Sequence, residues 1–230
     1  MHQIRVAGLL YVLLSIAGIL GSLVIPNAVI VSGDAPATAA ALRSSESLFR
    51  VGLAIELIAA IVFFAVACAL YRVFRPVDRD LAAAMLLLVV IAVPISFIAV
   101  VLRLGALVLV SGDAFLGVFS AEELDSLAYL FLRLHSQAYF IVQVFHGLWL
   151  LPLAALAFRS AAVPRVVGAL VLVAGLAYVA MTVVNVVIPE SASAVSRFTM
   201  PLVGGELAIV LWLLFTRARA PLAPQPAPAF

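Results

Sequence analysis

Six apolar runs, each long enough to cross the roughly 30 Å hydrocarbon core of a bilayer, dominate this sequence of 230 residues. They cover about 4–30, 50–72, 81–110, 127–158, 163–189 and 198–216. A chain built this way is expected to be all-α: a polytopic membrane protein with a six-helix transmembrane bundle, one domain over residues 1–219. Composition agrees. Only 10% of the residues are charged and 67% are hydrophobic, whereas an average soluble chain is about a quarter charged. No length is left for a sizeable soluble domain. The single cysteine, Cys68, lies inside an apolar run, which excludes a disulfide framework or a Cys-based metal cluster within one chain. There is no basic run to attract nucleic acid; the net charge of +2 comes from arginines at the ends of the runs.

Those arginines also predict orientation, because the chain has no lysine. With the N-terminus in the cytoplasm, Arg5, Arg72, Arg75, Arg79, Arg159, Arg165, Arg217 and Arg219 fall inside, and only Arg43, Arg50 and Arg197 fall outside. Eight against three obeys the positive-inside rule. The expected arrangement is therefore a membrane crossed several times, with both termini cytoplasmic. The outer face then collects Asp34, Glu46, Asp113, Glu122, Glu123, Asp125 and Glu190. A cleavable signal over residues 1–30 is the alternative, but its apolar stretch is too long for a signal h-region. The fourth run is ambiguous. Ser120 followed by Glu123 is a capping-box signature, and a helix continuous from there to Arg159 would approach 60 Å. A split into an interfacial helix over about 120–134 and a separate span is preferred. Residues 220–230, alternating Pro and Ala, read as a disordered cytoplasmic tail.

A parallel repeat is also legible. Arg5-Val6-Ala7-Gly8 and Ile25-Pro26 bracket the first span, as Arg165-Val166-Val167-Gly168 and Ile188-Pro189 bracket the fifth. The following spans carry Glu56-Leu57 and Glu206-Leu207. Helices 1–2 and 5–6 are thus candidates for duplication about an axis along the membrane normal, an arrangement known in transporters. In the first span Gly8, Tyr11, Ser15, Gly18 and Ser22 recur at helical spacing and read as a packing seam. Gly168 and Gly175 read the same way in the fifth, and Tyr178 and Trp212 as packing or interface residues.

Ionisable groups inside a span are costly, on the order of 2.5–3.5 kcal/mol on insertion scales, so each is a candidate for function. Glu206 lies about 16 Å from Arg217 at helical rise, near mid-membrane. Glu56 falls in the outer half of its span, and His146 near the middle of its own. Arg103 and Asn185 lie towards the outer boundary. His135 and His146 project within about 20° of each other on one helix, with Tyr139 and Gln143 on the same side. The ligand-binding candidates are therefore Glu56, Arg103, His135, Gln143, His146, Asn185 and Glu206, framing a polar cavity in the outer half. Arg103 has a second reading as a snorkelling anchor, and Glu56 as its salt-bridge partner.

No cofactor is expected and no catalytic or metal-ligating set is identified. His135 and His146, about 16 Å apart along one helix, cannot share a metal or a haem. Three functional readings stay open. One is binding or transport of a small amphipathic or cationic molecule, with Glu206 carrying or exchanging a proton. Another is a structural or accessory subunit whose polar groups hold helices together. The last is an intramembrane enzyme acting on lipid, with His146 as general base oriented by Glu206. Membrane lipids, a small-molecule ligand and further copies of the chain are the partners considered, and nucleic acid is not.

Several short motifs carry a family resemblance over nearly the whole chain. Gly33-Asp34, Ala37-Thr38, Ser45-Glu46 and Leu48-Phe49-Arg50 resemble the first outer loop of the bacterial "domain of unknown function 4386" family. His146-Gly147-Leu148-Trp149-Leu150-Leu151-Pro152 is similar to its fourth span, and Arg159-Ser160, Pro164-Arg165 and Gly168 to its inner turn. Gly175-Leu176-Ala177-Tyr178, Ile188-Pro189, Glu206-Leu207 and Trp212-Leu213-Leu214 complete the pattern. His146 and Ala41 depart from it, where an aromatic residue and an asparagine are usual. The resemblance implies a multi-span bacterial inner-membrane protein whose biochemical role is not established, and it supplies no chemistry.

Overall fold

Inside hydrocarbon every backbone N–H and C=O has to find a partner within the protein, and the chain meets this with helices. A computed structural model describes residues 2–216. Among these residues there is no strand, and six helical segments are long and apolar enough to span a membrane. The chain is a multi-pass membrane protein. The expected tail over 220–230, with Arg217 and Arg219, lies outside the described residues.

The first span is α1 (His2–Ile19), a π-helical turn (Leu20–Val24) and α2 (Ile25–Val29). Its uncovered residues, Leu9, Leu13, Ile16, Leu20 and Leu23, recur every three or four positions, so one side of the helix is left to lipid. Ile4, Ala7 and Tyr11 take the buried side. After Val29 the backbone turns at Gly33, whose φ of +82° suits glycine. Asp34 then caps α3 (Ala35–Ser44), its side chain accepting from the Ala37 N–H at 2.9 Å.

Two long helices follow, α4 (Glu46–Phe74) and α5 (Arg79–Leu109). Asp78 caps α5 by accepting from the N–H groups of Leu81 and Asp80, and it also pairs with Arg159. The Leu81 N–H, above all, holds the Asp78 carboxyl below the ordinary aspartate range. Past α5 the backbone turns again at Gly112, with φ +79°.

The fourth span corrects an expectation. Instead of an interfacial helix over 120–134 and a separate span, α6 runs unbroken from Ala121 to Arg159, 39 residues. The capping box that starts it forms in full: Ser120 N–H donates to Glu123 at 2.7 Å, and the Glu123 N–H reaches Ser120 Oγ at 3.3 Å. No proline or glycine interrupts it until Gly147. The helix has no reason to break at 134.

The remaining elements are α7 (Arg165–Val187), α8 (Ala192–Val203) and α9 (Leu207–Phe215). The sixth span is discontinuous, with a 3-10 turn at Gly204–Glu206 between α8 and α9. Pro201 cannot supply the helical bond to the carbonyl four residues back. Gly205 adds a close approach, since a Cβ there would lie 2.6 Å from the Leu170 carbonyl oxygen.

The chain divides into two compact units. One contains the residues up to Leu13, Val62–Val93 and everything from Phe140 onward. Its interior includes Tyr11, Phe74, Met85, Trp149, Leu153 and Ile209. The other contains Leu14–Ile61 and Pro94–Tyr139, packed around Val29, Leu42, Phe49, Leu53, Leu107 and Leu132.

Small residues mark the tightest helix contacts. A Cβ at Gly147 would meet the Gly175 carbonyl oxygen at 2.7 Å, so α6 and α7 touch backbone to backbone. The seam expected on the first span is only partly found. Gly8 packs against Leu213, but a Cβ at Gly18 would meet nothing within 4 Å. The close approach falls at Gly21, inside the π turn, against the Glu56 backbone at 3.1 Å.

Candidate functional site

The second unit holds a buried charge cluster assembled from four helical segments. Glu56 on α4 is 8% exposed, Arg103 on α5 4% and His135 on α6 3%. Arg103 Nη1 donates to Glu56 Oε2 at 2.7 Å, and His135 Nε2 lies 3.0 Å from Glu56 Oε1. A carboxylate only accepts, so Nε2 carries the proton of that bond. The Arg103 guanidinium sits 5.9 Å from the centroid of Phe49, within cation–π range. Tyr139 stacks beside His135 at 6.2 Å.

The π turn of the first span explains one more bond. The Ile25 N–H is drawn back to the Leu20 carbonyl, and Pro26 has no N–H. Neither neighbour along the helix can serve the Gly21 carbonyl. Arg103 Nη1 does so instead, at 3.1 Å. Arg103 is thus a buried tie between α5, α4 and the first span, and its reading as a snorkelling anchor is overturned. Its Nε is buried without a partner.

The first unit holds a different arrangement around Glu206. This residue lies on the 3-10 turn that joins α8 to α9. Tyr11 on α1 donates its hydroxyl to Glu206 Oε1 at 2.5 Å, and Tyr178 on α7 donates a looser bond to Oε2 at 3.3 Å. From Tyr11 a chain of ring contacts returns to Tyr178. Tyr11 meets Trp149 at 5.7 Å, Trp149 meets Phe63 edge-on at 5.0 Å, Phe63 stacks on His146 at 4.5 Å, and His146 meets Tyr178 at 6.3 Å. Six side chains from five helical segments close a circuit. Tyr11, Phe63 and Trp149 are buried, while His146, Tyr178 and Glu206 are half-buried. The Trp149 indole N–H is buried without a partner. None of the ion pairs among the described residues involves Glu206.

Of the seven residues expected to line a cavity, hydrogen bonds bring Glu56, Arg103 and His135 together. Glu206 and His146 belong to the other unit. They share the aromatic circuit, but no hydrogen bond or ion pair joins them. The enzyme reading required that bond; His146 Nδ1 instead lies 3.4 Å from the Val142 carbonyl of its own helix. Asn185 spends its amide on the Met181 carbonyl at 2.8 Å, also within its own helix. Gln143 is half-buried on α6. Among the described residues no group of three His, Cys, Asp or Glu side chains is placed to hold a metal ion.

Sequence reasoning missed Tyr11, Phe63 and Trp149, and it took Tyr178 for packing. One signal was available. A tyrosine hydroxyl deep in an apolar run needs a hydrogen-bond partner, and Glu206 was the acceptor lacking one.

A family model described as "Domain of unknown function (DUF4386)" matches residues 6–216. No curated protein and no solved structure matches the chain.

Proposed function

The chain belongs to the DUF4386 family, a family of unknown function, and from that premise we propose that it binds and transports a small amphipathic cation. Glu206 is the group that meets the ligand's charge and exchanges it for a proton. One observation carries this reading: a carboxylate inside a span, with no cationic partner among the described residues, held by the hydroxyls of two tyrosines that belong to an aromatic circuit. Aromatic faces attract cations through their quadrupoles, more strongly where water is excluded. Glu206 also lies at a break in its span, the kind of discontinuity at which transporters build their binding sites. The membrane is the bacterial inner membrane, and the arginine asymmetry supports both termini being cytoplasmic.

The test is uptake of ethidium, a fluorescent aromatic cation, into proteoliposomes bearing a pH gradient. The expected result is gradient-driven uptake that Glu206→Gln abolishes while the variant still purifies as a folded protein. Uptake equal in the two proteins removes Glu206 from the mechanism.

A structural reading rests on a separate observation, since Glu206 ties α1 and α7 to the α8–α9 turn through the two tyrosine hydroxyls. It predicts that Glu206→Gln lowers thermal stability and that neither protein takes up or binds the dye.

A further inference from the structure

The two arms of the sixth span are held very differently. On α9, Ile209, Val210 and Leu213 are buried, and Leu213 packs against Gly8 of α1. On α8 only Thr199 is buried, while Phe198 is 77% exposed and Met200 and Leu202 are uncovered as well. In a bilayer those three side chains meet lipid, and lipid tails are as apolar as leucine. A displaced α8 exchanges lipid for lipid and loses little apolar burial. The joint between the arms can bend. Pro201 removes one helical hydrogen bond, and at Gly204–Glu206 the bonding tightens to 3-10, a form that often marks a hinge inside a helix. A Cβ at Gly204 would meet nothing within 4 Å, whereas at Gly205 it would lie 2.6 Å from the Leu170 carbonyl oxygen. The pivot is seated on α7, and the arm that leaves it starts in open space.

Resting on the cation-binding reading above, we propose that α8 is the moving gate of the Glu206 site, swinging about Gly204–Glu206 while α9 stays fixed. Glu206 lies at the pivot itself. Its carboxylate is tied to Tyr11 on α1 and Tyr178 on α7, and neither tyrosine belongs to the moving arm. The swing leaves the carboxylate where it is and changes what can reach it. Alternating access needs that division: a fixed site and an element that rocks against it. Gly204 supplies a freedom that its surroundings do not demand. Its φ of −58° and ψ of −17° are open to any residue, and there is room for a side chain.

Paired spin labels follow the two arms in the full-length protein, with Cys68 replaced by alanine. A label at Leu87→Cys on α5 is paired with one at Phe198→Cys on α8 or with one at Leu211→Cys on α9; all three positions are exposed. Saturation with ethidium is expected to shift the distance to position 198 and to leave the distance to position 211 unchanged. Pro201→Ala/Gly204→Ala restores the missing N–H and stiffens the joint. In that variant ethidium uptake should slow severalfold, while the dye still binds and the unfolding midpoint holds or rises. Gly204→Ala alone, whose methyl meets no contact, keeps this comparison available if the double variant does not fold. Equal shifts of both distances mean that the span moves as one rod, and no shift in a protein that binds the dye means that α8 does not gate the site. Either result overturns the hinge while the cation reading stands. Uptake that does not slow in the stiffened variant overturns it too. Absence of ethidium binding in the unmodified protein overturns both.

Discussion

Glu56 and Glu206 are carboxylates in spans, and the side chains around them settle how each is tolerated. Glu56 has an arginine on one oxygen and a histidine on the other, all three buried. Glu206 has two tyrosine hydroxyls and no ion pair among the described residues. The first is a compensated charge that binds helices; the second is held by two hydroxyl groups. This difference makes a prediction at Glu56. Removing one member of a buried pair strands the other, at a cost of about 3–5 kcal/mol, whereas replacing both by neutral groups is often close to neutral. Arg103→Met should therefore destabilise the protein strongly, and Glu56→Gln/Arg103→Met should recover most of the loss. Unfolding midpoints in mixed micelles measure this; a double variant weaker than Arg103→Met would show that the charge is not what matters there. At this scale the sequence was partly legible. The Glu56–Arg103 pairing was one of two readings open for Glu56, the other being a ligand-binding group, because both residues are charged and lie towards the outer side of their spans. Tyr11 bonding Glu206, 195 positions away, was not anticipated, because hydropathy gives a residue's depth and not the way its helix is rotated.

At the scale of elements, the departures from regular helix do most to place the polar groups. The π turn at Leu20–Val24 frees the carbonyl that Arg103 takes, and the 3-10 turn at Gly204–Glu206 carries the carboxylate that Tyr11 and Tyr178 bond. Pro26, Pro201 and the Gly204-Gly205 pair were visible in the sequence, yet prolines also sit at Pro94 and Pro152 inside unbroken helices. A proline alone does not announce a break; its neighbours decide. Glycine contacts follow the same logic. Lipid tails are as apolar as leucine, so helices associate in the bilayer largely by close packing, and Gly147 sits at the closest approach of α6 to α7. Gly147→Ala would put a methyl 2.7 Å from the Gly175 oxygen and 2.9 Å from the Val179 nitrogen. It should cost about 1–3 kcal/mol, the range for overpacking, read as a fall in the unfolding midpoint. Gly18→Ala, with nothing within 4 Å, should leave that midpoint unchanged or raise it. Equal effects at the two positions would remove helix packing as the explanation.

For the whole molecule, the apolar runs sufficed to foresee six spans, because bilayer thickness imposes a length that no competing soluble fold requires. Rotation and pairing of those spans were not foreseeable in the same way, since an all-apolar helix carries little angular signal. Orientation is different again: it is set during insertion by arginines near the span ends, before the helices pack. The structure adds where those ends fall. Arg72 and Arg79 flank the connection between α4 and α5, and Arg159 and Arg165 the one between α6 and α7. The connection from α5 to α6 contains Asp113 and no arginine. If the arginines govern insertion, the first two connections are cytoplasmic and the third faces outward. A protein with Cys68 replaced by alanine and one new cysteine tests this directly. Ala114→Cys should react with a membrane-impermeant maleimide in intact cells, and Ala161→Cys only after permeabilisation; both positions are exposed. The reverse pattern would invert the topology and turn the acidic connections towards the cytoplasm. Labelling at both sites would mean two populations, which an eight-to-three arginine bias should not permit.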